Sequence, residues 1–228
     1  MNLVILAAGI GSRINLGIPK ALIELANGET ILSRQINIAT RFINFKNIYV
    51  VTGYKENEII NRFPNINTIS NADYKSTNTS KSLLAALNSI ETDTTVWING
   101  DVVFDVNALS LIISREYSCM ATLKSKTEDE EIKFSITTDG SIDKVSKEVN
   151  SSCGEAVGIN KIIKKDIKLF KDCLKKCSKG DYFERGIELA IESGLKIFPE
   201  YISNGFAMEI DYQIDLDMVN RYLLSKDV

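Results

Sequence analysis

The residue types that bind phosphate groups cluster in one loop near the start of the chain. The loop follows an apolar run at residues 3–6 and contains small residues, one arginine and, a few positions later, a lysine: Ala7, Ala8, Gly9, Gly11, Ser12, Arg13 and Lys20. Small side chains leave the backbone N–H groups accessible to an anion. Arg13 and Lys20 add full positive charges beside them. These residues predict a site for a polyphosphate.

Two common phosphate-binding patterns do not fit this loop. A dinucleotide-binding turn would need a third glycine at position 14, which is Ile14, and a P-loop would need Gly-Lys-Ser/Thr, whereas Lys20 follows Pro19. The alternative without function is an ordinary glycine turn with surface charges. The length of the string and the Pro-Lys pair after it favour the phosphate site over that alternative.

Two acidic positions far apart in sequence are candidate metal ligands. Asp101 follows Gly100 at the end of a predicted buried strand, and Glu209 and Asp211 alternate near the end of the chain. Carboxylates that converge on a phosphate site are the oxygen ligands that Mg²⁺ shares with substrate phosphates. Asp211 is therefore a second candidate ligand, and Glu209 a ligand of the metal or the substrate. Turn formation by Asp101 and helix capping by the later pair remain the alternatives.

A third candidate segment lies at the predicted start of a helix and is rich in amide and hydroxyl groups: Asn78, Thr79, Ser80 and Ser82. Such groups can bind the edge of a nucleotide base or a phosphate. Simple capping of the helix, with Ser80 as the N-cap, explains the segment equally well.

The composition narrows the class of protein. With 228 residues, the chain is predicted to form one domain, residues 1–228. A net charge of −3 and scattered basic residues give no support for a nucleic-acid partner, and no apolar run is long enough to cross a membrane. Met1 leads directly into the first predicted strand, so we expect no signal peptide. Four cysteines without a paired framework favour the cytoplasm, and the absence of histidine excludes histidine-based catalysis.

Predicted strands and helices alternate along the chain, which indicates an α/β fold with a mostly parallel mixed sheet flanked by helices. Strands are expected at residues 3–6, 48–51, 65–70, 94–98, 118–124, 132–136, 155–159 and 195–198. Helices are expected at residues 30–45, 56–63, 80–90, 164–177, 182–193 and 212–224. Asp139-Gly140 predicts a hairpin turn within inserted strands in the second half. Residues 1–115 form the predicted nucleotide-binding half, and residues 116–228 the acceptor-binding half with its C-terminal helix.

Taken together, these motifs resemble the nucleotidyltransferases of the glycosyltransferase-A-like fold. The resemblance is strongest to cytidylyltransferases that act on phosphocholine, aminoethylphosphonate and phosphoglutamine. It rests on Leu6-Ala-Ala-Gly-Ile-Gly-Ser-Arg13, Pro19-Lys20, segment 78–83, Asn99-Gly-Asp101 and Glu209-Ile-Asp211, whose order and spacing span nearly the whole chain.

The resemblance implies roles for these residues. The triphosphate would be held by Gly9, Gly11, Ser12 and Arg13, and Lys20 would contact the α-phosphate. The base would be contacted by Ala7, Ala8 and segment 78–82. Leu6 and Gly100 would complete the nucleotide site. Lys20 and Arg13 would be the catalytic residues, and Asp101 and Asp211 the Mg²⁺ ligands. The implied reaction joins CMP from CTP to a small phosphorylated or phosphonate acceptor and releases pyrophosphate.

The acceptor is less constrained by the sequence. Trp97 lies within a predicted strand, so we expect it in the core rather than in an aromatic cage, which disfavours phosphocholine. A cage built from other aromatic residues remains the alternative: Tyr182, Phe183, Phe206 and Tyr212. Arg185 beside Tyr182, Glu155 at a strand start, and Lys124 and Lys126 are candidate acceptor contacts, and a guanidinium favours a carboxylate-bearing acceptor such as phosphoglutamine. Exposed surface charges are the alternative. A sugar-1-phosphate nucleotidyltransferase using UTP or dTTP and a non-catalytic nucleotide-binding module remain alternative functions.

Overall fold

A mixed β-sheet forms the centre of the computed structural model, which describes residues 1–11, 13–14, 16–124 and 131–226. The strands are β1 (Asn2–Leu6), β2 (Ile48–Thr52), β3 (Asn67–Ser70), β4 (Thr95–Asn99), β5 (Val102–Phe104), β6 (Cys119–Leu123), β7 (Lys133–Ile136), β8 (Ile142–Ser146), β9 (Glu155–Ile162), β10 (Phe198–Tyr201) and β11 (Ala207–Glu209). The helices are α1 (Ile31–Ala39), α2 (Glu56–Arg62), α3 (Thr79–Ser89), α4 (Val106–Ile113), α5 (Ile167–Lys176), α6 (Phe183–Glu192) and α7 (Gln213–Leu224).

The order of strands in the main sheet is β10-β6-β9-β4-β1-β2-β3. Strand β9 runs antiparallel to both of its neighbours, and the other neighbouring pairs are parallel. The hairpin β7–β8 adds to this sheet beside β9, and Gly140 in its turn has φ +83°. The predicted α/β fold with a mostly parallel mixed sheet and an inserted hairpin is therefore confirmed.

Both faces of the sheet are covered by helices, as the continuous apolar strands require. Along β1, Leu3 and Ile5 face the core that contains α1 and α4, while Val4 and Leu6 face the core that contains α3, α5 and α6. Because β1 is buried on both faces at the middle of the sheet, its carboxyl end is fixed by neighbours on either side.

A short two-stranded ribbon, β5 with β11, lies outside the main sheet. The sequence did not predict β5 as a strand of its own. Helix α7 follows β11 and packs with Ile23 and Ile210 into a third apolar cluster. The ribbon joins the end of the chain to the segment directly after β4, which carries Asp101.

Two predicted element bounds are wrong. The helix expected at residues 30–45 ends at Ala39, although Ile43 in the following turn is still buried and so extends the apolar pattern. The strand expected at residues 195–198 is displaced to Phe198–Tyr201, where Pro199 is tolerated because β10 lies at the sheet edge and pairs only with β6.

Trp97 is buried in the core against Phe170 and Phe183, as expected from its strand position. Within the described part of the chain, no helix combines the length and apolar character needed to cross a lipid bilayer.

Candidate active site

The loop after β1 is bound to the carboxyl ends of both neighbouring strands. The N–H of Ala7 donates to the carbonyl of Val51, and the N–H of Gly100 donates to the carbonyl of Leu6, each at 2.9 Å. A Cβ on Gly100 would lie 2.7 Å from that Leu6 oxygen. Glycine is therefore required for β4 to end so close to the loop, and this contact places Asp101 beside it.

Glycine is also required at position 11. Gly11 has φ +64°, which side chains rarely adopt, and a Cβ there would lie 3.2 Å from the Cβ of Lys20. Lys20 begins a short 3-10 turn, Lys20–Leu22, that follows Pro19. This turn, together with the absence of a side chain on Gly11, lets the side chain of Lys20 extend across the loop. Ser12, between Gly11 and Arg13, lies outside the described residues.

Lys20 and Arg13 meet two of the predicted carboxylates. Lys20 Nζ lies 2.8 Å from Asp101 Oδ2 and 2.6 Å from Asp211 Oδ1. Arg13 Nη1 lies 2.6 Å from Asp211 Oδ2. The β5–β11 ribbon explains this convergence, because the N–H of Ile210 donates to the carbonyl of Asp101 and so aligns the segments that carry the two aspartates.

The charges in this cluster support one another. Burial alone would lower the pKa of Lys20, but the charges and hydrogen bonds of Asp101 and Asp211 outweigh it and raise that pKa. Burial would likewise raise the pKa of Asp211, but Lys20 and Arg13 outweigh it and lower that pKa. The lysine is therefore a cation and Asp211 an anion near neutral pH.

Glu209 completes a group of three carboxylates with Asp101 and Asp211. One oxygen of each lies within 4.8 Å of the others. The pKa of Glu209 is raised, mainly by the negative charge of Asp101 and then by burial and by the charge of Asp211. Asp101 Oδ1 is buried without a hydrogen-bond partner. Crowded carboxylates and an unsatisfied buried oxygen fit a hard cation.

Asp211 is not the cap of α7, which was one alternative for this position. Tyr212 is the N-cap residue, and the carboxylate of Asp215 accepts hydrogen bonds from the N–H groups of Asp211 and Tyr212. Both Asp211 oxygens instead bind the cations of the cluster. Asp105, by contrast, caps α4 through two backbone N–H groups.

The predicted hydroxyl-rich segment is divided between the cleft and the core. Asn78 is the N-cap of α3, and Asn78 and Thr79 line the cleft. Ser80, predicted as the cap, is instead buried within the first turn, because the helix begins at Thr79. Ser82 is buried and accepts a hydrogen bond from Asn71. Neither serine lines the cleft, so neither is positioned to contact a ligand there.

The cleft has a volume of about 630 Å³ and extends from the first loop to residues of the second half of the chain, such as Glu155 and Tyr182. The predicted site residues that line it are Leu6, Ala7, Gly9, Gly11, Arg13, Lys20, Asn78, Thr79, Gly100, Asp101, Glu155, Tyr182, Glu209 and Asp211. Ala8 is buried beside the loop and is not a lining residue. The structure thus brings most of the predicted residues to one cavity.

Arg185 does not fulfil the geometry expected of an acceptor contact. It is absent from the cleft lining, and its guanidinium pairs with Glu188 at 3.1 Å and Glu192 at 3.3 Å on its own helix. Lys124 lies over the ring of Tyr201, 4.9 Å from its centroid. Lys126 lies outside the described residues.

Several polar lining residues were not predicted as site residues, among them Asn99, Lys147 and Glu184. Asn99 Oδ1 and Glu184 Oε2 are buried without hydrogen-bond partners. Asn99 belongs to the Asn-Gly-Asp string that carries Asp101, so its place in the cleft could have been predicted from the sequence. Glu184 was not distinguishable in sequence from an ordinary acidic residue in the first turn of a helix.

Comparisons with known proteins agree with this geometry. The family described as the MobA-like NTP transferase domain matches residues 3–134, which is more than half of the chain. No curated protein sequence matches significantly.

Solved structures resemble the whole chain at low identity. The CTP:phosphocholine cytidylyltransferase of Streptococcus pneumoniae is 18% identical with a TM-score of 0.79, covering 97% of this chain and 98% of its own. The inositol-1-phosphate CTP transferase of T. maritima is 17% identical with a TM-score of 0.78, covering 99% and 95%. A putative glucose-1-phosphate thymidylyltransferase of Bacillus anthracis is 14% identical with a TM-score of 0.77, covering 100% and 96%.

These structural likenesses show the shared fold, and the family match extends from β1 into β7 and includes the glycine-rich loop after β1 and Asp101. The chain therefore belongs to the MobA-like NTP transferase family and is a nucleotidyltransferase.

Proposed function

We propose that this nucleotidyltransferase transfers CMP from CTP to a phosphate or phosphonate oxygen of a small acceptor. The observation that carries the proposal is the position of Lys20 Nζ, within 2.8 Å of Asp101 and 2.6 Å of Asp211 beside the glycine loop. A cation at that point can neutralise charge on a transferring phosphoryl group, and carboxylates there can hold its metal ion.

The reaction is a single displacement. An acceptor oxygen forms a bond to the α-phosphorus of CTP while the bond from that phosphorus to the bridging oxygen breaks, and pyrophosphate leaves with the electron pair. An ionised phosphate is already a nucleophile near neutral pH, so no side chain need remove a proton. A chain without histidine can therefore carry out this step.

Lys20 and Arg13 would contribute by position and charge. The pKa of Lys20 is raised by its two aspartates, so it stays a cation as it meets the triphosphate. Arg13, 2.6 Å from Asp211, can present several N–H donors to phosphate oxygens. Preorganised cations of this kind act without rearrangement at the moment of transfer.

CTP is proposed as the nucleotide because Asn78 and Thr79 offer amide and hydroxyl groups at the cleft wall. Such groups can hydrogen-bond to the edge of cytosine, where an unmatched buried polar group would be costly. Two of the structural neighbours are named for CTP, whereas the third is named as a thymidylyltransferase. A sugar-1-phosphate nucleotidyltransferase using UTP or dTTP is therefore the second candidate.

A pyrophosphate-release screen tests this proposal. CTP, UTP, dTTP, ATP and GTP are each combined with phosphorylated amines, amino acids and sugars. We expect the highest kcat/KM with CTP and an acceptor that is not a sugar. A higher kcat/KM with UTP or dTTP and a sugar 1-phosphate would select the second candidate, and equal rates with purine nucleotides would contradict the pyrimidine site.

We further propose that Asp101, Asp211 and Glu209 hold Mg²⁺. The fit rests on the three converging carboxylates and the unpartnered Asp101 Oδ1. When bound, the ion would supply positive charge to the triphosphate.

Asp101→Asn and Asp211→Asn test the metal site, because an amide keeps the shape but removes the anionic oxygen. We expect each variant to fold and to need a higher Mg²⁺ concentration for half-maximal turnover, or to lose turnover. Circular dichroism checks the fold, and Asp172→Asn on the exposed surface of α5 is the matched control. A wild-type rate that EDTA leaves unchanged would disprove a metal requirement.

A further inference from the structure

Glu184, in the first turn of α6, is a buried carboxyl group that lines the acceptor side of the cleft. Only 7% of the residue is exposed. Its Oε2 atom is buried and has no hydrogen-bond partner. A buried polar atom without a partner lowers stability unless a ligand satisfies it, so this oxygen requires a functional explanation.

The backbone around Glu184 is held in place. Phe183 is buried and lies edge-on to Trp97, with ring centroids 5.6 Å apart. The N–H of Phe183 donates to Thr79 Oγ1 at 3.0 Å, which joins the start of α6 to the start of α3. The backbone that carries the carboxyl group is therefore positioned before any ligand arrives. Glu184 directly follows Phe183, which contacts Thr79.

Charges on the acceptor side of the cleft favour a cation. Among the residues that the structure describes, this region is lined by three glutamates, Glu131, Glu155 and Glu184, and by one lysine, Lys147. Burial raises the pKa of Glu184 to about 7, although the charge of Lys147 acts in the opposite direction. A cation brought into contact with Glu184 would favour its ionised form.

We propose, building on the proposed cytidylyl transfer, that Glu184 Oε2 accepts a hydrogen bond from an ammonium N–H of the acceptor. The acceptor would then be a phosphate or phosphonate that carries a primary or secondary amine. Glu184 would determine specificity by binding this amine, while the phosphate end of the acceptor faces the α-phosphorus.

The aromatic residues of the cleft argue against a quaternary ammonium group, which has no N–H to donate and is bound by aromatic faces. Three aromatic residues line the described part of the cleft: Tyr182, Phe183 and Tyr212. Phe183 is packed against Trp97, and the guanidinium of Arg13 lies 5.9 Å from the ring centroid of Tyr212. An aromatic cage cannot be assembled from Tyr182 alone.

The structure also removes the reason for expecting a carboxylate-bearing acceptor. That expectation rested on Arg185, whose guanidinium is paired with Glu188 and Glu192 and does not line the cleft. An acceptor carboxylate near Glu184 would instead meet like charge.

The test compares acceptors that differ only at the amine. With CTP and Mg²⁺, kcat/KM is measured for 2-aminoethyl phosphate, its trimethylated form phosphocholine, and ethyl phosphate, which has no amine. For the wild type, we expect 2-aminoethyl phosphate to exceed the other two by about 10- to 100-fold, the value of a hydrogen bond to a charged group.

Glu184→Gln keeps the size of the side chain and removes its charge. We expect this variant to lower kcat/KM for 2-aminoethyl phosphate far more than kcat/KM for ethyl phosphate, so that the ratio of the two values approaches one. Glu188→Gln, one turn along the same helix and outside the cleft lining, is the matched control and should behave as the wild type.

Equal kcat/KM for the amine and its trimethylated form, or a preference for phosphocholine, would overturn the inference while cytidylyl transfer stands. A Glu184→Gln variant that keeps the wild-type preference would also overturn it. If that variant does not fold, the wild-type ratio of the two acceptors decides alone. Transfer of CMP to none of these acceptors or those of the wider screen would overturn the proposed function itself.

Discussion

Lys20 holds together two aspartates that would otherwise repel each other. Its ammonium group lies between Asp101 and Asp211, and only about a tenth of the lysine side chain is exposed. Removing the lysine leaves three neighbouring carboxylates with one cation fewer. Lys20 is therefore expected to matter both for turnover and for the local charge balance.

Lys20→Ala is expected to lower kcat by about 100-fold or more, the scale seen when one preorganised transition-state donor is removed. The rate of pyrophosphate release at saturating substrates measures this effect. Lys175→Ala, which removes an exposed lysine paired only on the surface of α5, is the control and should retain its rate. Near-normal kcat in a folded Lys20→Ala variant would show that the lysine has no role in transfer.

Glu184 should make stability depend on pH. Burial raises its pKa from 4.5 to about 7, so the folded protein binds this proton more tightly than the unfolded chain does. The free energy of unfolding therefore decreases as pH rises through this window. Charges on Lys147 and Glu188 act on the same carboxyl group in opposite directions.

Glu184→Gln removes this titration. Between pH 4.5 and pH 8, the wild type should lose on the order of 3 kcal/mol of unfolding free energy relative to the variant. Urea unfolding of both proteins at the two pH values measures the difference. A constant difference across the range would mean that the carboxyl group is not titrating in this window.

Single residues were predictable where a motif surrounded them. Lys20, Asp101 and Asp211 could be chosen as candidates because each belongs to a short recognisable string, and the structure brings their side chains together. Glu184 and Arg185 could not be ranked, because neighbouring positions in one helix turn differ only in the direction they face. Whether each side chain is buried or exposed depends on how α6 packs against α3 and α5, which the local sequence does not encode.

At the scale of secondary-structure elements, the carboxyl ends of β1 and β4 lie in direct backbone contact. A Cβ added to Gly100 would not fit, because it would lie 2.7 Å from Leu6 O and 3.0 Å from Ala7 Cα. The two strands can only end together if this residue is glycine.

Gly100→Ala should therefore push the loop after β1 away from Asp101. We expect a loss of about 1–3 kcal/mol in the free energy of unfolding, typical of overpacking, together with a loss of turnover. Gly180→Ala is the matched control, since nothing lies within 4 Å of its added Cβ. Equal urea midpoints for the two variants would contradict the close contact.

Apart from the helix expected at residues 30–45, which ends at Ala39, the helices with clear apolar periodicity were predicted close to their observed bounds. Strands β5 and β11 are each only three residues long, too short for a periodic pattern to identify. Their pairing joins segments about a hundred positions apart and positions the two aspartates. The sequence thus predicted several residues that the structure brings together, but not the ribbon that aligns them.

At the scale of the whole molecule, one cleft extends across both proposed halves of a continuous sheet. We propose that residues 1–115 bind the nucleotide and residues 116–228 bind the acceptor. A nucleotide in this cleft binds the folded chain and not the unfolded one, so it should stabilise the entire molecule.

CTP with Mg²⁺ at about 100 times its dissociation constant should add roughly 2.7 kcal/mol, or about 5–10 °C in Tm. Thermal unfolding with CTP, UTP, ATP and GTP at one concentration measures the ranking. We expect CTP to raise Tm most and the purine nucleotides least. An equal increase with all four would point to recognition of the triphosphate alone.

The contact between the starts of α3 and α6 joins the two proposed substrate sites, so binding at one site should change the affinity at the other. Thr79 lines the cleft and accepts a hydrogen bond from the N–H of Phe183, whose neighbour Glu184 lines the same cleft. A nucleotide that binds against Thr79 would act on the first turn of α6 through this hydrogen bond. Linkage then requires reciprocity: the factor by which CTP tightens acceptor binding equals the factor by which the acceptor tightens CTP binding. One hydrogen bond could thus make the two affinities cooperative across the cleft.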